Sequence, residues 1–108
     1  GLAWNELGKI GKVIESLKMA VQVDPRHSRA WYNLGLAQNG EGMREDALSS
    51  LIRGESANPF DPQIPYARAT ILMGVGRLED AKRAAQRALE IQPDYDAARQ
   101  LLKNVGGF

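Results

Sequence analysis

Pro25, Pro59 and Pro93 stand 34 residues apart, and this period constrains the fold more than any other feature of the chain. Other positions keep the same register: Gly8, Gly42 and Gly76; Val13, Ala47 and Ala81; Ala20, Gly54 and Ala88; Gly1, Gly35 and Ala69. A fixed period of this length marks one supersecondary unit stacked on copies of itself. Proline lacks an N–H and disfavours helix in the residue before it, so each proline closes a helical stretch.

Each repeat reads as two helices. In the middle repeat, Ala30, Trp31, Leu34, Ala37 and Gln38 share one helical face by their i, i+3, i+4 spacing. Asn39-Gly40-Glu41-Gly42 interrupts that face, because glycine accepts φ > 0 and ends a helix cheaply. A second helix is expected over 44–57, with Ala47, Leu48, Leu51 and Ile52 turned inward. Gly35 and Ala47 fall where the two helices of a pair touch, and Gly54 where the next pair packs; a larger side chain would overpack these contacts. The same pattern predicts helices over 12–23, 65–74, 78–91 and 96–105, about seven in all when a broken helix ahead of Gly8 is counted.

"AWYNLGLAQNGEGMREDALSSLIRGESANP" resembles a tetratricopeptide repeat through Trp31, Leu34, Gly35, Gly42, Ala47, Leu51 and Pro59. "GVGRLEDAKRAAQRALEIQPDY" resembles the second half of the motif, and "GLAWNELGKIGKVIESLKMAVQVDP" a repeat lacking its first several residues. Gln38, Gly54, Pro65 and Arg68 depart from the family pattern. The resemblance implies an all-α, right-handed α-solenoid of helix-turn-helix repeats forming a single domain: a partial repeat at 1–27, repeats at 28–61 and 62–95, and a capping helix at 96–105. The apolar stripe of Ala97, Ala98, Leu101, Leu102 and Val105, with Arg99, Gln100, Lys103 and Asn104 facing outward, suits such a cap. The chain is expected to be the C-terminal fragment of a longer, bacterial protein.

Little in the composition invites chemistry. The hydrophobic fraction is 44%, net charge is +1, and no acidic or basic block exists. That argues against nucleic acid and anionic membranes as partners. No apolar run reaches membrane-spanning length. One His and no Cys do not supply the several nitrogen or sulfur ligands that a protein zinc site takes. His27 is expected at a helix boundary in solvent, with Ser28 as the N-cap. Gly40-Glu41-Gly42 and Gly74-Val75-Gly76 do not complete a phosphate-binding GxGxxG pattern, and they serve as turns. Glu45, Asp46, Glu79 and Asp80 oppose the positive ends of helix dipoles, and Glu79 and Arg83 have i,i+4 pairing distance. No catalytic residue, metal or cofactor is assigned, and the compartment stays undetermined.

Function then belongs to a surface. In the tetratricopeptide family the first helix of each pair lines a concave side, which assigns Arg29, Tyr32, Asn33, Leu36 and Asn39 to a peptide-binding face. A 34-residue shift adds Gln63, Tyr66, Ala67, Thr70 and Met73, and places Tyr32 and Tyr66 in register. A known mode in the family is a Lys/Arg/Asn clamp for a terminal carboxylate. Asn33 matches it, whereas Gln63, Ala67 and Leu2 do not. The expected function is therefore a non-catalytic protein–protein interaction scaffold for a protein or peptide of mixed polarity. The alternative is a structural module stacking on missing repeats or another copy, through an open end near Leu7, Ile10 and Ile14. Arg68 stands in the inward register of Leu34, with Glu55 its candidate partner.

Overall fold

The computed structural model describes the backbone of residues 2–105 and the side chains of residues 11–105. The chain folds into six helices, α1 (Leu2–Val23), α2 (Ser28–Gly40), α3 (Arg44–Ala57), α4 (Gln63–Gly74), α5 (Leu78–Ile91) and α6 (Asp96–Asn104), with no strand among the described residues. It is an all-α helical-repeat fold. The chain divides into two compact units, one ending at Ala57 and the other starting at Asn58.

In the first unit, α1 packs on α2 and α2 on α3. Ile14, Val21, Ala30 and Leu34 form a buried cluster, flanked by Leu17, Trp31, Ala37 and Met43. The close approach of α2 to α3 depends on Gly35. A Cβ there would lie 2.8 Å from Leu51 Cγ and 3.2 Å from the Ala47 carbonyl oxygen. The inward stripe of α3 is Ala47, Leu48, Ser50, Leu51 and Gly54. Ile52, expected inward, is instead 52% exposed, because it sits about 100° around the helix from Leu51.

The second unit repeats the plan, with α5 packed on α4 and α6 on α5 and α4. Its core holds Ile64, Ala69, Ile71, Leu72, Ala81, Ala84, Ala85, Ala88, Ala98, Leu101 and Leu102. Pro65 is tolerated as the third residue of α4, where no intrahelical donor is needed. The Asp61 carboxylate accepts from the Gln63 backbone N–H at 3.0 Å, so the helix starts two residues earlier than the sequence pattern suggested. Arg68, like Glu55, is half-buried.

The breaks within pairs are Schellman turns. Met43 N–H donates to the Gln38 carbonyl at 2.8 Å and Gly42 N–H to Asn39 at 3.0 Å; Arg77 to Leu72 and Gly76 to Met73 repeat the arrangement. Gly42 and Gly76 have φ of 81° and 83°, which side chains rarely adopt. The expected break at Gly8 does not occur, and α1 runs continuously for 22 residues. Glu6 and Leu7 stand where the other repeats have Gly40-Glu41 and Gly74-Val75. Gly8 and Gly11, at about 1 kcal/mol each and separated by helix formers, do not end the helix. The chain thus has six helices rather than about seven.

Two smaller expectations also change. The cap of α2 is His27 rather than Ser28: its Nδ1 accepts from the Ala30 N–H at 3.0 Å. The α5 surface pairs its charges at i,i+3, Arg77 with Asp80 and Arg87 with Glu90, rather than Glu79 with Arg83. These pairs are exposed and contribute little.

Candidate functional site

A concavity of the second unit lies between α4 and α6. It encloses about 520 Å3 and is lined by Tyr66, Thr70, Met73 and Gly74 from one helix and Ala97, Gln100, Leu101 and Asn104 from the other. None of these side chains is charged. Tyr66 packs on Tyr95 just ahead of α6, with ring centroids 5.3 Å apart and planes tilted by 51°. Tilted aromatic pairs are favourable, so Tyr66 is held before any partner arrives. The Thr70 hydroxyl donates to the Ala67 carbonyl at 2.7 Å, leaving its oxygen to accept. The Gln100 and Asn104 amides are exposed and can donate and accept.

Of the residues expected on this helix, Tyr66, Thr70 and Met73 come together in the groove. Gln63 is exposed at the start of α4 and Ala67 is buried in the core; neither lines it. In the first unit, the Arg29 guanidinium lies over the Tyr32 ring, 5.2 Å from its centroid. Asn33 and Leu36 are exposed on α2, and Asn39 is half-buried near its end.

Sequence reasoning missed the α6 half of the groove. The signal was present: a further 34-residue shift carries Gln63, Tyr66, Ala67 and Thr70 onto Ala97, Gln100, Leu101 and Asn104. The terminal helix therefore has the register of a first helix. Its Lys103 occupies the position of Gly35 and Ala69, is exposed, and places a cation in the last turn, where the helix dipole favours it.

No three His, Cys, Asp or Glu residues gather to hold a metal ion among the described residues. Among those residues, too, no helix is long and apolar enough to cross a membrane.

A fold of paired helices with an exposed, partly aromatic first-helix face defines a helical-repeat protein. The sequence model of the tetratricopeptide repeat matches residues 66–95. The TPR repeat-containing protein YpiA of Bacillus subtilis (strain 168) is 24% identical over 100 residues, covering 93% of this chain and 24% of YpiA. The chain thus spans about a quarter of that relative's length. The first TPR of Spaghetti (RPAP3), solved bound to an HSP90 peptide, superposes with a TM-score of 0.85 at 20% identity, over 99% of this chain and 85% of that one. The Yersinia enterocolitica type III secretion chaperone SycD, solved with a peptide of the translocator YopD, gives 0.78 at 23% identity, over 98% and 82%. Residues 66–95 thus match the tetratricopeptide repeat, and the chain as a whole is similar in fold to tetratricopeptide-repeat proteins.

Proposed function

We propose that the chain is a non-catalytic protein-docking module that seats a partner segment in the groove between α4 and α6 of the second unit. The observation that carries this is the uncharged groove itself, with its tyrosine already fixed by Tyr95. An apolar partner side chain would enter between Met73 and Leu101. The Gln100 and Asn104 amides and the Thr70 hydroxyl oxygen would meet the partner's backbone. A ring ordered in advance lowers the entropy lost on binding. The peptide complexes of Spaghetti and SycD support the same reading. In the first unit, the face of α2 that carries Tyr32, Asn33 and Leu36 is proposed as a separate contact surface. The groove's lack of charge sets it apart from a carboxylate clamp, so the segment is recognised by apolar anchors and backbone.

Replacing Tyr32 and Tyr66 with Ala should weaken a selected peptide by about tenfold or more, as loss of an aromatic anchor does. Calorimetric titration checks this. Unchanged affinity together with a sharp fall in melting temperature would make the tyrosines packing residues and sink the assignment.

A second reading, stacking through the first helix, rests on α1. Val13 is 48% exposed, whereas its counterparts Ala47 and Ala81 are 0% exposed. Ser16 and Ala20 are exposed where Ser50, Ala84, Gly54 and Ala88 are buried. The face that a first helix covers in the other pairs lies open here. Ile14, expected on the open surface, is buried, and the side chains of Leu7 and Ile10 lie outside the described residues. Self-association predicts a concentration-dependent sedimentation coefficient that Val13→Glu with Ala20→Glu abolishes. A chain that stays monomeric throughout would exclude it.

A further inference from the structure

The first unit carries a second depression, chemically unlike the α4/α6 groove. It encloses about 260 Å3 between α1, α2 and α3. Val21, Leu34 and the Trp31 ring line it together with the buried Gln38 and Ser50, and Lys18, Asp46 and Arg53 are its exposed charged residues. This lining is fixed. Trp31 Nε1–H donates to the Pro25 carbonyl at 2.8 Å, and the buried Ser50 hydroxyl donates to the Gln38 side-chain oxygen at 2.6 Å. The Arg53 guanidinium carbon lies 5.5 Å from the centre of the Trp31 ring.

This contact holds the guanidinium at the depression, and no described side chain accepts from its N–H groups. The fork matches a carboxylate, with two parallel hydrogen bonds. Among the described residues, neither Arg53 nor Lys18 has a carboxylate partner. Both are exposed beside the buried Val21 and Leu34, where a charge-assisted bond is less screened than in open solvent. Asp46 shares the rim and would repel a second acid, so the depression suits one carboxylate rather than a chain of them.

We propose that this depression, on a different set of helix faces from the α4/α6 groove, is a second docking site that takes a single acidic side chain of a partner protein, flanked by an aliphatic residue. The carboxylate lies between Arg53 and Lys18, and the aliphatic neighbour rests on Trp31 and Val21. A phosphate backbone fits less well, because it brings several charges past Asp46.

The test uses acetyl-Leu-Glu-Leu-amide, titrated into the 15N-labelled chain and followed by two-dimensional NMR. The expected result is saturable shifts confined to the Trp31 indole N–H and to amides near Lys18, Gln22, Ser49 and Arg53. Acetyl-Leu-Gln-Leu-amide should bind about tenfold more weakly, the value of roughly one charge-assisted hydrogen bond. Lys18→Gln with Arg53→Gln should lower the affinity for the Glu peptide to that of the Gln peptide, with the remaining spectrum unchanged. Equal response to both peptides, insensitivity to the double substitution, or shifts centred on Tyr66 and Gln100 would each overturn the site. So would the same shifts from a single-stranded oligonucleotide at lower concentration. Because Tyr66→Ala leaves this depression intact, its failure and failure of the α4/α6 groove are separately visible.

Discussion

Gly35→Val is expected to remove about 3 kcal/mol of stability, at the upper end of overpacking costs. The first branch atom would fall 2.8 Å from Leu51 Cγ, and Leu51 is fully buried. Leu51 cannot swing away at its tip, because the contact is at Cγ, and the Ala47 carbonyl at 3.2 Å belongs to the backbone of α3. The two helices must separate. At roughly 4–8 °C per kcal/mol for a domain of this size, the melting temperature should fall by about 12 °C or more. Gly40→Ala is the control five residues on: nothing lies within 4 Å of its Cβ, and the residue is still helical. It should be stabilising by about 0.5–1 kcal/mol, from lost unfolded-state freedom. Thermal unfolding of both variants checks the pair. Equal effects would mean that α2 and α3 are not in close contact at Gly35.

The second large effect concerns the buried hydrogen bond from Ser50 to Gln38, at 2.6 Å. Ser50→Ala alone should cost about 2 kcal/mol, since it leaves a buried amide oxygen unpaired. The next repeat has Leu72 and Ala84 at these two positions, both buried. The double variant Gln38→Leu with Ser50→Ala imports that apolar packing and should be close to neutral. Denaturant unfolding of the two single variants and the double gives the coupling, expected at about 2 kcal/mol. Strict additivity would show that Gln38 is satisfied from elsewhere.

The parts of the fold legible in the sequence are those set by local chemistry. Proline and glycine act within a few residues, so the turns at Gly42 and Gly76 and the ends of α3 and α5 follow from the period. What failed depended on more than one position. Gly8 keeps the register of Gly42, yet with Glu6 in place of a second glycine the helix continues. Ile52 looks inward by composition, but the α3 stripe is centred on Leu51 and turns it outward. On α4, Tyr66, Thr70 and Met73 were readable as a face because they repeat α2. Gln100 and Asn104 repeat them in turn. They were passed over because a polar residue on a terminal helix also serves as a solvated outer surface, and only the approach of α4 to α6 separates the two roles. Tyr95 lies in the connection before α6, where helical spacing carries no information, so its packing on Tyr66 needed coordinates.

The proposed docking of an uncharged peptide segment in the α4/α6 groove can be tested without knowing the natural partner. The most direct measurement is selection of binders from a phage-displayed library of random peptides, followed by NMR mapping of the strongest on the labelled chain. The selected sequences should share an aliphatic or aromatic anchor without a required terminal carboxylate, with shifts centred on Tyr66, Thr70, Met73 and Gln100. Enrichment of no sequence by the folded chain, or binders that map away from α4 and α6 and ignore Tyr66→Ala, would contradict it.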